Sequence, residues 1–143
     1  QCGKGVSKQA FYLLPKIREA EALLRSTNSD GLDWLETHPE LCFSSFNGAV
    51  PMEDNKKTEA GFRERKGVLA RHIPARTIDR LLRSLMASLP RSQCARDDMV
   101  DALVCGVLAR LDATGRGCLP PGKRDFDEVG LPMRICYPIP TAF

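Results

Sequence analysis

Ala10, Leu13, Leu14, Ile17, Ala20 and Leu24 recur at helical spacing behind Ser7, a residue suited to capping, and predict an amphipathic helix over 8–25. Pro15 lies inside it and is expected to kink or split it, because its ring removes a donor and crowds the preceding turn. A polar turn, "STNSDG", leads to "LDWLET", where Trp34 and Leu35 would face opposite ways in a buried strand ending near Thr37. Pro39 suits the first position of a short helix through "PELCFSSF", which Gly48 stops. After the loop "AVPMEDNKK", Thr58 is placed to cap a helix over 59–71 with Phe62 and Leu69 inward. Pro74 opens the strongest stripe: Ile78, Leu81, Leu82, Leu85, Met86 and Leu89 follow the helical period.

The helix over 97–113 differs. Val100, Leu103, Val104, Val107, Leu108 and Leu111 line one side, and Met99, Ala102, Cys105 and Ala109 the other, so it reads as buried on most of its surface and closed by "TGRG". A Pro/Gly/charged connection over 119–130 precedes "MRICYPI", which alternates as a final strand, with Pro138 and Pro140 ending its ladder. Many helices and two strands predict an α/β fold that is mostly helical. Two strands alone make a marginal sheet. Either they pair with strands missing from this chain or the fold is mostly helical. A first residue other than Met favours the former, so 1–143 is expected to be the C-terminal part of a single domain whose N-terminal strands are missing. An edge left unpaired in that way predicts self-association.

Composition narrows the function classes. A length of 143 residues accommodates one real core. A net charge of +3 and a pI near 8.6 permit a nucleic-acid partner without requiring one. The longest apolar run, "ALVCGVLA", is far short of the ~20 residues a membrane span needs. Six cysteines without a CxxC pair point away from a disulfide framework and from closely spaced zinc ligands, and toward a reduced, cytoplasmic chain. There is no GxSxG elbow and no phosphate-binding GxxxxGK[ST] loop.

Acidic residues supply the candidate chemistry. The nearly apolar helix begins with Asp97, Asp98 and Asp101, and neighbours three and four apart repel. Ordinary capping by the helix N-terminus accounts for Asp97 and Asp98 and only weakly for Asp101, a turn further in. A divalent cation is the second account, since shared ligation turns repulsion into binding. "ETHPE" adds Glu36 at the strand end, with His38 and Glu40 just beyond. Lys56, Lys57 and Arg65, in the basic stretch that follows, are the candidate phosphate contacts.

"SKQAFYLLPKIREAE", "ETHPELCFSSFNG", "NKKTEAGFRER", "DDMVDALVCGVLA" and "DEVGLPMRICYP" resemble, in order and spacing, a family catalogued as predicted RNase H-like nucleases of unknown function. The likeness runs from about Gly3 to Pro138 and covers the C-terminal half of that family's domain. It implies a partial RNase H-like fold and a two-metal phosphodiesterase. Glu36, Asp98 and Asp101 would hold Mg²⁺ or Mn²⁺, Asp97 would cap, and His38 would support the metal or shuttle a proton. The alternative is a non-catalytic nucleic-acid-binding or scaffold module on the same fold.

Overall fold

The computed structural model describes residues 5, 7–26, 34–122 and 125–140. The expected turn at 27–31 and the first two residues of "LDWLET" lie outside them. The chain divides into two compact units, 1–34 and 35–143. In the first, α1 (Lys8–Ser26) runs through Pro15 as one element, so the expected split does not occur. Ser7 accepts from the Ala10 N–H at 3.2 Å, as its capping role predicts.

The second unit holds α2 (Pro39–Phe46), α3 (Glu59–Leu69), α4 (Ala75–Ser88), α5 (Arg96–Arg110), β1 (Arg116–Leu119) and β2 (Ile135–Pro138). It is a mixed α/β fold, mostly helical, with a two-stranded antiparallel sheet. No helix among the described residues is long and apolar enough to cross a membrane.

α5 is the common partner of α2, α3 and α4. It buries Met99, Val100, Val104, Val107 and Leu108 against Cys42, Phe43, Phe46, Val68, Leu69, Ile78 and Leu82. Each such side chain contributes roughly 1.5–3 kcal/mol by leaving water. The helix stops at Arg110, short of the expected 113. Asp112 intervenes: its carboxylate accepts from Thr114 N–H at 3.0 Å and Gly115 N–H at 2.9 Å and starts a separate 3-10 turn, Ala113–Gly115. α4 uses only half of its stripe. Ile78 and Leu82 are buried, while Leu81, Met86 and Leu89 are at least a third exposed.

The sheet departs from expectation more. β1, read from sequence as helix stop and connection, is a strand; its Gly117 leaves room for the Tyr137 ring, which a Cβ there would approach to 2.7 Å. Cys118 pairs with Cys136, and Arg116 with Pro138. Ile139 N–H still donates to Gly115 carbonyl at 2.9 Å, so the ladder continues past Pro138, which sits where no donor is needed. The expected strand ending near Thr37 shrinks to one parallel bridge between Thr37 and Cys136. Cys136 N–H donates to Glu36 carbonyl at 2.7 Å, and Thr37 hydroxyl donates to Cys136 carbonyl at 2.7 Å. β2 thus holds the segment that carries Glu36.

Candidate functional site

The loop before α3 is clasped by that helix. Glu64 accepts Glu53 N–H at 2.8 Å on one carboxylate oxygen and Asp54 N–H at 3.1 Å on the other. Arg65 donates to Asp54 carbonyl at 3.0 Å. Thr58 caps the helix by accepting Gly61 N–H at 3.1 Å and donates its own hydroxyl to Asn55 carbonyl at 2.7 Å. Gly61 makes the close approach possible: a Cβ there would overlap Asn55 carbonyl.

Lys56 follows directly and reaches the start of α5. Its Nζ lies 2.7 Å from Asp101 Oδ2 and 3.9 Å from Asp97 Oδ2. Both aspartate side chains are only 14% exposed. The hydrogen bond to Asp101, aided by the charges of Asp101, Asp97 and Glu40, holds the Lys56 ammonium above its usual value against the effect of burial. A lysine therefore offsets the repulsion that the spacing created. Asp101 Oδ1 is buried and has no hydrogen-bond partner.

Asp98 is elsewhere. It is exposed, and its Oδ2 accepts Ala95 N–H at 3.0 Å, the side-chain half of a capping box whose other half alanine cannot supply. The capping bond thus goes to Asp98, and Asp97 stands with Asp101. Glu36 and His38 are exposed; His38 is the N-cap residue of α2 without a side-chain capping bond. Among the described residues no three of His, Cys, Asp or Glu are grouped to hold a metal ion, so Glu36, Asp98 and Asp101 do not form one donor set.

Of the expected phosphate contacts, Arg65 has to be withdrawn. It is 4% exposed. Nε and Nη2 engage Glu40 at 3.1, 2.9 and 2.9 Å, and Nη1 engages the carbonyls of Asp54 and Gly61. Every nitrogen is spoken for within the fold, so none is offered to a ligand. Its burial has a sequence signal: Gly61, Arg65, Val68 and Leu69 share one helical face. Lys57 stays exposed and, with Arg91, Arg96 and Asp97, lines a broad groove of about 800 Å³. Arg96 bonds Glu59 at 2.8 Å and lies 4.0 Å over the Phe62 ring.

A family model described as a protein of unknown function (DUF429) matches residues 1–125. No curated protein and no solved structure matches the chain.

Proposed function

This chain belongs to the DUF429 family, whose function is unknown, and we propose from its own residues that it serves divalent-metal-dependent cleavage of a nucleic-acid phosphodiester, in the manner of RNase H-like nucleases. The carrying observation is Asp101 Oδ1, a buried carboxylate oxygen without a partner, on a side chain whose other oxygen meets Lys56, the lysine that Asp97 also approaches. An unmet buried acceptor costs about 1–3 kcal/mol or more, which a bound ligand would recover. Oxygen donors suit Mg²⁺ or Mn²⁺, and magnesium commonly takes one or two carboxylates with water and substrate phosphate completing the shell.

Asp97 and Asp101 fit that demand and would hold the ion. Glu36, Asp98 and His38, which the RNase H-like resemblance brings in, stand outside that pair, and none of them is assigned to the ion. Once bound, such an ion polarises a phosphoryl oxygen and acidifies its water. Lys56 keeps the two aspartates gathered beforehand. Lys57 and Arg91, in the groove that Asp97 also lines, are suited to a phosphate backbone. Glu64 and Arg65 orient Lys56 through the loop they clasp.

The same ion pair favours a second reading, a non-catalytic nucleic-acid-binding or scaffold module, because the lysine already neutralises the acids. Manganese titration and manganese-dependent nuclease assays on wild type and Asp101→Asn separate the two, with circular dichroism reporting the fold. Loss of both uptake and cleavage in a folded variant is expected. Cleavage that persists unchanged in Asp101→Asn defeats the metal mechanism.

A further inference from the structure

Cys118 on β1 and Cys136 on β2 stand opposite each other in the antiparallel register. Cys136 turns its N–H and its carbonyl away from β1, to Glu36 and Thr37. The pair therefore occupies a non-hydrogen-bonded position, where facing Cα atoms approach to about 4.5 Å and side chains come closest. Their sulfurs lie 3.0 Å apart, against about 2.04 Å in a disulfide. We infer that Cys118 and Cys136 form a reversible oxidation site, closing a cross-strand disulfide when the chain meets a low-molecular-weight disulfide such as oxidised glutathione.

Among the described residues no other two cysteine sulfurs are in hydrogen-bond contact, although Cys105 and Cys42 are near enough to interact electrostatically. Cys42 Sγ is 3.0 Å from Thr37 hydroxyl, and Cys94 Sγ lies 3.7 Å from Ala95 carbonyl. Accessibility orders the steps. Cys118 is partly exposed, whereas Cys136 is 1% exposed. Cys118 gives its proton to solvent, and its thiolate attacks one sulfur of oxidised glutathione, forming a mixed disulfide and releasing one glutathione thiolate, which takes up a proton. Cys136 then loses its proton to solvent and attacks Cys118 Sγ, and the second glutathione leaves. Two protein thiols are oxidised and one small disulfide is reduced to two thiols. Burial, with the neighbouring Cys118, pushes Cys136 up to about 11, so Cys136 rests as a thiol.

The bond would tie β1 to the strand that holds Glu36 carbonyl and Thr37, and it would restrict the unfolded chain. The test uses the whole chain, incubated with oxidised glutathione, alkylated, and cut by trypsin after Arg116, Lys123 and Arg134. Mass spectrometry should find peptides 117–123 and 135–143 joined, with two thiols lost and dithiothreitol restoring them. Thermal melting should shift upward on oxidation in wild type and stay put in Cys118→Ser. Separate, fully alkylated 117–123 and 135–143 peptides after equilibration, or either one joined to a different cysteine, overturn the assignment. Wild-type mapping decides this even if the variant folds poorly.

Discussion

Replacing Arg65 with methionine should lower stability by about 2–4 kcal/mol. Methionine retains much of the apolar stem, so the loss falls on the guanidinium bonds. Three of these go to Glu40 and two to backbone carbonyls, from a side chain 5% exposed. Removing one partner of a fully buried ion pair costs roughly 3–5 kcal/mol. Glu40 is 37% exposed and regains some water, which reduces that figure. Asp54 carbonyl loses its donor, restoring about 1 kcal/mol to the cost. Urea unfolding followed by circular dichroism should show the midpoint falling by about 1–2 M, at an m-value near 2 kcal/mol/M that does not change. Arg65→Lys should fall between, since an ammonium keeps the charge but cannot fork. A double-mutant cycle with Glu40→Gln should give a coupling above ~1 kcal/mol. A midpoint shift below about 0.2 M, or additive behaviour, would refute the reasoning.

Gly61→Ala should destabilise by about 1–3 kcal/mol through its collision with Asn55 carbonyl, outweighing the ~1 kcal/mol helix preference for alanine; a melting temperature equal to wild type would contradict this. His72 is held below its ordinary 6.5, first by burial and then by Arg71, and its ring lies 4.1 Å from Phe46. The unfolded chain takes up that proton more readily. Stability is therefore complete above about pH 6.5 and declines as pH falls through the folded value. Melting temperatures over that range should follow this slope in wild type and flatten in His72→Phe.

Helices with an apolar face were legible because side-chain period and burial agree. Ile78 and Leu82 lie inward as the stripe predicts, and Val100, Val104, Val107 and Leu108 carry the core side of α5. The strands were harder. Four residues around Gly117 show no alternation, since their pairing rests on backbone and on a ring from the opposite strand. Thr37 makes one bridge only, and its partner is 99 positions away. At the site, spacing alone put Asp97 and Asp101 on one face, yet nothing local says that Lys56 answers them. That information lies in how α3 grips the preceding loop. The roles of Asp97 and Asp98 depend on a single bond, to Ala95 N–H, which spacing does not distinguish.

The stretch shared with the family ends at residue 125, ten positions before β2 begins. An expression fragment trimmed to that boundary would amputate the strand on which β1 depends, along with Cys136 and Pro138 from the interior. The carbonyl of Glu36 would be orphaned in the same cut, and the hydroxyl of Thr37 would keep only Cys42 Sγ as a partner. The packed unit therefore extends past the residues that the family model matches, and a fragment that keeps the sheet must run beyond Pro138.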